Sequence, residues 1–297
     1  MAVPVIEEMA MTKRWMGAGL MMIVCIGSLG LQAQTQKERA EITGIAHVAF
    51  RVSDLDREVA FFGKLGFEEA FTTVRDGKIL QEFVKINDRQ FFELFPQTDP
   101  SQPLGWIHVC YGSEAIKDLN ANYIAAGLKP SSMITFPTGN LGFSLKDPDG
   151  RQIEFQQYMP DSKPALDRGQ HLGAGRVSDQ LIGFEAPVKD VNAAKTFAAT
   201  LGFDTANEGG NVRLSLPSDQ DLTIVLHPTH VGDVPQFLLP VEDARKTAET
   251  LRDAGLKVER HDKLVFVHDP DGNTLVLMEA TKETHRSRIP FRHNENQ

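Results

Sequence analysis

Two histidines and two glutamates occupy repeating positions in the first half of the chain. His47 and His108 are 61 residues apart, and Glu93 and Glu154 are separated by the same interval. Each lies in an apolar stretch, such as "FFELF" around Glu93, where an unpartnered buried charge is costly. Two imidazoles and two carboxylates form a ligand set that suits a divalent cation. The spacing therefore predicts one metal site made of His47, Glu93, His108 and Glu154.

The stretches that carry these residues belong to a repeat. The segment 45–68 aligns with 181–204 at a constant offset of 136, which divides the chain into two similar halves. Inside the first half, the pattern that begins at His47 begins again at His108. Each copy has a short apolar strand, an amphipathic helix that ends near a glycine, and short strands separated by turn residues. The repeat predicts an α+β fold in which a βαβββ module is used four times.

The helix of the second copy shows the pattern most clearly. Ile116, Leu119, Tyr123 and Ala126 follow one another at helical spacing, which predicts a buried helix face. Ser113 is the candidate N-cap because serine is among the residues preferred at that position.

The repeat and the changes in composition divide the chain into five segments. Residues 159–179 are rich in Pro and Gly, which is typical of a linker. The predicted segments are a signal peptide at 1–34, a metal-binding domain at 41–158, the linker at 159–179, a degenerate second domain at 180–280 and a polar tail at 281–297.

The N-terminal segment has the features of a secretory signal peptide. Lys13 and Arg14 precede an apolar run at 15–31, and the small residue Ala33 follows it. We therefore expect a secreted or periplasmic protein. The alternative is a retained membrane anchor at 15–31, and only then would the membrane be a partner. Cleavage near Ala33 would leave Cys110 as the one cysteine, so no disulfide could form within the mature chain.

Length and charge limit the kinds of partner. The 297 residues suffice for about two domains, and 41% of them are hydrophobic, which suits globular cores. The net charge of −9 argues against a nucleic-acid partner. We expect a small-molecule substrate, and a homodimer is left open.

The modules and the His–Glu–His–Glu order together resemble the vicinal oxygen chelate superfamily across nearly all of 43–280. That superfamily includes glyoxalase I, extradiol dioxygenases, methylmalonyl-CoA epimerase, and fosfomycin- and bleomycin-resistance proteins. The resemblance implies cupped sheets of paired βαβββ modules, with ligands from the first and last strands of each module. It implies one divalent ion, Ni, Zn, Co or Mn, with Fe(II) less favoured. Four protein ligands in an octahedral shell leave two positions for water or substrate.

The resemblance favours a glyoxalase-like isomerase or lyase that acts on a small oxygenated metabolite through a metal-stabilised enolate. Glu93 or Glu154 would leave the metal and act as the catalytic base. The first alternative is an Fe(II) extradiol-type dioxygenase, with His47, His108 and Glu154 as the triad. Against it, Ser144 stands where those enzymes carry a tyrosine, and the stretch "MITFPTGN" has no histidine. The second alternative is a non-catalytic, ligand-sequestering protein of the resistance type.

The second half lacks all four ligands while it keeps the turn "DPDG". Its equivalents of the four ligand positions are Gly183, Val225, Gln236 and Val276. It is expected to be a scaffold without a metal. His227 and His230 fall outside these positions and are expected at the surface.

Strand alternation also predicts which residues surround the metal. They share a sheet face with the four ligands and are predicted to bind substrate: Arg51, Phe91, Phe95, Cys110, Gln152 and Gln156.

Overall fold

The computed structural model describes residues 41–230 and 233–280, apart from the side chain of Gln220. The predicted signal peptide at 1–34 and the polar tail at 281–297 lie outside these residues. Within the described ranges, the structure has no helix of the length and apolarity needed to cross a bilayer.

The predicted α+β fold of four βαβββ modules is confirmed. The first two modules comprise β1 Gly44–Val52, α1 Leu55–Lys64, β2 Glu68–Arg75, β3 Lys78–Asn87, β4 Gln90–Pro96, β5 Gly105–Gly112, α2 Ile116–Ala125, β6 Ile134–Thr135, β7 Leu141–Lys146 and β8 Gln152–Gln157. The last two modules follow the short helix α3 Lys163–Leu166. They comprise β9 Gly183–Val188, α4 Val191–Leu201, β10 Asp204–Glu208, β11 Asn211–Leu216, β12 Asp219–Pro228, β13 Gln236–Val241, α5 Ala244–Asp253, β14 Val258–His261, β15 Leu264–His268 and β16 Thr274–Glu279.

Each half forms one eight-stranded sheet with the same internal order. The first sheet runs β2-β3-β4-β1-β5-β8-β7-β6, and the second runs β10-β11-β12-β9-β13-β16-β15-β14. The first strands of the two modules pair antiparallel at the centre, β1 with β5. The last strands of the two modules flank this pair. β4 runs parallel to β1, and β8 runs parallel to β5. The four strands predicted to carry metal ligands are therefore neighbours in one sheet.

Three of the four long helices in the described residues begin where the sequence supplies an acceptor for free backbone N–H groups. Asp54, Asp190 and Asp243 cap α1, α4 and α5 through their side chains. Helix α2 buries Ile116, Leu119 and Tyr123 as the spacing predicts, but Ala126 is exposed because the helix ends at Ala125 and Ala126 is its C-cap.

The N-cap prediction at Ser113 is wrong. Helix α2 begins two residues later than that cap would place it, after Ala115, and no side chain caps it. The Ser113 hydroxyl instead accepts a hydrogen bond from the Ala115 backbone N–H at 3.3 Å. Serine readily forms such a local turn in place of a cap.

A single apolar core joins the two halves. Phe50 of β1 meets Phe237 of β13 edge to face, with ring centroids 4.9 Å apart. Tyr111 of β5 contacts Phe203 in the same manner at 5.4 Å. Because strand side chains alternate between faces, these residues lie on the side of the first sheet opposite His47 and His108. The packing of the halves thus leaves the predicted metal face free.

The two "DPDG" turns lock the halves together reciprocally. Asp149 in the first turn accepts a hydrogen bond from the backbone N–H of Lys189 in the second half, at 3.1 Å. Asp271 in the second turn accepts one from the backbone N–H of Ser53 in the first half, at 2.6 Å. Asp271 also forms an ion pair with Arg57 at 2.8 Å. The retained turn therefore serves the contact between the halves in both copies.

The segment between the halves, residues 159–179, is held against the first sheet by a buried lysine. Lys85 of β3 is fully buried, and its ammonium contacts the carboxylates of Asp167 and Asp88, each at 2.8 Å. It also donates a hydrogen bond to the Asp167 backbone carbonyl at 2.7 Å. Three oxygens thus offset the desolvation of the buried lysine.

We predict that Lys85→Met lowers the free energy of unfolding by about 3 kcal/mol, because the buried Asp167 loses its ammonium partner and keeps only the His171 imidazole. Urea unfolding followed by circular dichroism measures the difference. Lys78→Met, at an exposed position of the same strand, is the matched control. Equal stability of the two variants would contradict the role given to Lys85.

A buried acid also lies where the halves meet. Both carboxyl oxygens of Glu58 on α1 are buried and find no hydrogen-bond donor among the described residues. Burial, followed by the charge of and a hydrogen bond with Asp269, raises the pKa of Glu58 to about 9. Glu58 therefore keeps its proton at neutral pH.

We predict that Glu58→Gln reduces the loss of stability between about pH 5 and pH 9. In that range the unfolded chain has released the Glu58 proton and the folded chain has not, so stability falls as pH rises towards the folded pKa. Gln cannot titrate, so this contribution disappears. Thermal unfolding across the range measures it, and the exposed Glu114→Gln is the control. An unchanged pH profile would show that Glu58 is ionised in the folded protein.

Candidate metal centre

The four predicted ligands converge on one face of the first sheet. In the register of β1 and β5, His47 lies opposite Cys110, and Ala49 lies opposite His108. In the register of β1 and β4, Ala49 lies beside Glu93. In that of β5 and β8, Cys110 lies beside Glu154. This staggered placement on four adjacent strands brings two imidazoles and two carboxylates to one point.

The donor atoms are within a few ångströms of one another. His47 Nε2 and His108 Nε2 are 3.1 Å apart. Glu93 Oε2 lies 3.0 Å from His47 Nε2 and 3.1 Å from His108 Nε2. Glu154 Oε2 lies 3.4 Å from His108 Nε2 and 3.9 Å from His47 Nε2. We call these four side chains the tetrad.

The charges within the tetrad stabilise one another in a buried setting. Burial by itself raises the pKa of Glu93, but the charges and the close ring nitrogens of His47 and His108 outweigh it and lower the pKa to about 2. Burial lowers the pKa of His108, and the neighbouring Glu154 and Glu93 more than reverse that effect, so the pKa is raised. Glu93 is thus an ionised carboxylate ready to act as a ligand.

The arrangement fits a divalent cation. Donors that share one ion at about 2.1 Å lie about 3.0 Å apart at right angles and about 3.4 Å apart at tetrahedral angles. Four of the five tetrad distances given above fall in this range. Glu93 Oε2 is buried without a hydrogen bond of good geometry among the described residues, although two imidazole nitrogens face it. A cation would satisfy this oxygen and both nitrogens together.

The two carboxylates differ in how firmly they are held. Glu93 is 3% exposed and contacts both imidazoles closely. The side chain of Glu154 is 13% exposed and its distances to the imidazoles are longer. Its other oxygen, Oε1, accepts a hydrogen bond from Gln152 Nε2 at 2.6 Å. Glu154 is therefore the carboxylate with more freedom to move.

The remaining residues predicted to bind substrate fall into three places. Phe91 and Gln156 line a cavity in front of the tetrad. Arg51 and Phe95 line a neighbouring groove, where the Arg51 guanidinium donates to the Pro103 carbonyl at 3.0 Å. Gln152 is exposed and orients Glu154.

Cys110 lies beside the tetrad and is fully buried. Burial, and then the negative charges of Glu154 and Glu93, raise the pKa of its thiol, which favours the protonated form. Cys110 thus fills space next to the donors, while Phe91 and Gln156 face the cavity.

The cavity has further walls that strand alternation alone did not identify. They come from β3, from the loop before β7 and from α3: Gln81, Phe83, Phe136, Pro137, Thr138, Asn140 and Pro164. Phe83 could have been found from the pairing of β3 with β4, which places it opposite Glu93. The loop and α3 reach the site through tertiary packing, and no local pattern marks them.

The second sheet has no equivalent tetrad among the described residues, as the sequence predicts. Its registers are the same, since Gln236 and Val225 both pair with Glu185, the equivalent of Ala49. A side chain at Gly183 would overlap the backbone carbonyl of Thr223. Val276 belongs to a small apolar cluster with Ile182 and Leu238. The second face is thus filled by apolar contacts where the first has ligands.

A separate group of metal-binding residue types lies on the surface of the second half. His227, His230 and Asp233 have potential ligand atoms within 4.8 Å of one another. The side chain of His230 is 73% exposed, and that of His227 is 23% exposed. Exposed groups of this kind are common without an ion, so this triad ranks behind the buried tetrad.

The sequence and the fold can now be compared with known proteins. Residues 44–155 match the family model described as the Glyoxalase/Bleomycin resistance protein/Dioxygenase superfamily. Residues 44–155 form a domain of this superfamily. The resemblance predicted from the modules and the ligand order is thereby confirmed. A search of the curated proteins found no significant match.

Solved structures of a glyoxalase and of two dioxygenases share this fold over 81% to 82% of the chain. The Mn(II)-bound glyoxalase from Novosphingobium aromaticivorans has a TM-score of 0.61 at 19% identity, over 81% of this chain and 83% of that one. A catechol 2,3-dioxygenase gives 0.63 at 14% identity, over 82% and 89%. A variant of homoprotocatechuate 2,3-dioxygenase from B. fuscum, in complex with HPCA, gives 0.62 at 15% identity, over 82% and 72%. At these identities the likeness establishes the fold alone.

We predict that the purified protein binds one divalent ion per chain and that His47→Ala/His108→Ala abolishes binding, since it removes both imidazoles of the tetrad. Elemental analysis of protein purified without chelator measures the content. His227→Ala/His230→Ala is the matched control and should keep the ion. If only the control variant loses the metal, the ion binds at the surface triad of His227, His230 and Asp233 and the tetrad is not the metal site.

Proposed function

We propose that the chain is a metal-dependent enzyme with glyoxalase-like isomerase or lyase activity on a small oxygenated metabolite. The observation that carries the proposal is the convergence of His47, Glu93, His108 and Glu154 at a cavity with aromatic and amide walls. Apolar walls with a few convergent polar groups are typical of small-molecule sites. The cation is Ni, Zn, Co or Mn.

A divalent ion held by the tetrad would supply Lewis-acid stabilisation for an oxyanion, such as an enolate, that develops on the substrate. The protein supplies the other requirements. His47, His108 and Glu93 are at most 5% exposed and form the firm part of the ligand set. The aromatic walls of the cavity exclude water from the substrate.

Glu154 is the better candidate for the catalytic base. It is the more exposed and more loosely held carboxylate, and it borders the cavity. A base must reach the carbon-bound proton it removes, so freedom to move favours it. Gln152 orients Glu154 through its second oxygen. Glu93, with its pKa lowered to about 2 by the two histidines, is a weak base.

The alternative is an Fe(II) extradiol-type dioxygenase. The structural likeness to two dioxygenases supports considering it. A triad of His47, His108 and Glu154 would leave Glu93 without a function. Glu93 is, however, the carboxylate closest to both histidines. Ser144 on β7, opposite Glu154, also replaces the tyrosine expected for that chemistry. A sequestering protein without catalysis would need neither the base nor the full ligand set.

The second half serves as a scaffold in this proposal. It packs on the face of the first sheet that is remote from the tetrad and holds the first half through the "DPDG" turns. We also propose that the protein is exported, on the strength of the basic residues and apolar run near its N-terminus.

We predict that Glu154→Gln keeps the bound metal and lowers turnover at least 100-fold, because a positioned base contributes about 10² to 10⁴ in rate. Glu93→Gln should instead lower metal content. The assay screens thiol adducts of α-oxo aldehydes and enolisable acids, with product formation and solvent deuterium exchange at carbon followed by NMR. Full turnover in Glu154→Gln would assign the base elsewhere. Bound iron with oxygen consumption on catechols would establish the dioxygenase.

A further inference from the structure

The lining of the cavity in front of the tetrad has two chemically different parts. One part is the tetrad, with His47, Glu93 and Glu154, and the other includes Thr138 and Asn140. Phe83 and Phe91 form a wall of the cavity with ring centroids 6.2 Å apart, nearly perpendicular. Phe136 lines the cavity from the loop that precedes β7. Phe83 and Phe91 thus pack edge to face and offer an apolar wall against which a flat group can lie.

Two residues that line this cavity each carry a buried polar atom with no partner among the described residues. Thr138 Oγ1 and Asn140 Oδ1 are both buried and unbonded, in residues that are 6% and 1% exposed. The Asn140 amide nitrogen is already used, because it donates to Gln156 Oε1 at 2.9 Å. Buried polar atoms are seldom left unpaired, and each such atom calls for an explanation. A ligand that enters the cavity is the explanation that the lining supports.

The loop that carries these atoms is held in a fixed conformation. The Asn140 carbonyl accepts from the Phe136 N–H, and the Thr138 carbonyl accepts from the Lys163 N–H, both at 2.8 Å. Gly139, at φ +90°, turns the chain where a Cβ would press on Ser162. The two unpartnered atoms are therefore preorganised before any ligand arrives.

The charges of the cavity limit what it can accept. Its ionisable lining residues, among those the structure describes, are the tetrad members His47, Glu93 and Glu154. Beside Thr138 and Asn140 the lining is otherwise aromatic, proline or amide. A carboxylate or phosphate in that part would be desolvated without a cation to pair with it. An uncharged hydroxyl, in contrast, can donate to Asn140 Oδ1 and accept from the Thr138 hydroxyl.

We propose that this part of the cavity is a substrate-recognition subsite, in which Thr138 and Asn140 bind a ring hydroxyl and Phe83, Phe91 and Phe136 enclose the ring. The substrate class is an uncharged hydroxyaryl α-oxo compound whose adjacent oxygens face the tetrad. This inference rests on the proposed function, because it needs those oxygens to be bound at the metal.

Hydroxamic acids test the subsite without a known substrate, since they chelate a divalent metal through two adjacent oxygens. Calorimetry with the metal-loaded full-length protein compares four probes: acetohydroxamic acid, benzohydroxamic acid, its 3- or 4-hydroxy derivative and its 4-carboxy derivative. The aryl probe should bind at least about tenfold more tightly than the acetyl probe, because its ring is buried. The better hydroxy derivative should gain about a further fivefold from its hydrogen bonds. The carboxy derivative should bind more weakly than the unsubstituted aryl probe.

Thr138→Val is the isosteric variant that isolates the hydroxyl contact. It should abolish the fivefold gain of the hydroxy derivative and leave benzohydroxamic acid and metal content unchanged. It should not lower thermal stability, since the hydroxyl it removes has no partner in the folded protein. Thr250→Val, at an exposed helical position, is the control and should keep the gain.

The outcomes separate the subsite from the metal chemistry. If the acetyl and aryl probes bind equally, or if the hydroxyl gain is absent or survives in Thr138→Val, the subsite is wrong while the metal-centred function stands. If metal is present but no hydroxamate binds, the proposed function fails and the subsite falls with it. The probe series on the unmodified protein decides the question even if a variant does not fold.

Discussion

The structure depends on the antiparallel pairing of β1 with β5 at the centre of the first sheet. This pairing sets the stagger that brings His47 Nε2 and His108 Nε2 within 3.1 Å of each other. The outer strands β4 and β8 then run parallel to β1 and β5 and add Glu93 and Glu154 on the same face. A one-residue slip of any of these strands would turn its ligand to the opposite face, into the apolar core. The tetrad therefore forms only when all four strands keep this register.

That constraint explains why the two faces of the first sheet have such different compositions. The face away from the tetrad carries Phe50 and Tyr111, which pack on the second half. Their burial gives the sheet a large apolar contact that does not involve the ligands. The tetrad places four ionisable groups close together, and they can remain there because rigid, well-packed strands hold them. The second half therefore supports the site from behind, by fixing the sheet on which the ligands are arranged.

The sequence was sufficient for the modules and for the choice of the four tetrad residues, because both repeat at a fixed interval. It was insufficient where side chains meet through tertiary packing. Lys85 and Asp167 lie 82 positions apart in unrelated elements, and Thr138 reaches the cavity only because α3 holds its loop. Ser113 shows a smaller failure, in which a local turn took the place of a helix cap. Periodicity predicts which side chains share a strand or helix face. Contacts made by loops depend on the tertiary packing of those loops on the sheet, which periodicity does not reveal.

The two copies of "DPDG" show how the halves could diverge on one face and stay alike elsewhere. In each turn the first aspartate, Asp147 or Asp269, accepts backbone N–H groups of its own turn. The second aspartate, Asp149 or Asp271, reaches the backbone of the other half. Loss of either turn would break a contact that both halves need. Exchange of Glu154 for its equivalent Val276 affects only the cupped face of one sheet, where apolar neighbours compensate for the absent ligands. Glu154 is thus needed for the tetrad alone, whereas the turn beside it is needed for the contact between the halves. Only the contact between the halves requires both copies.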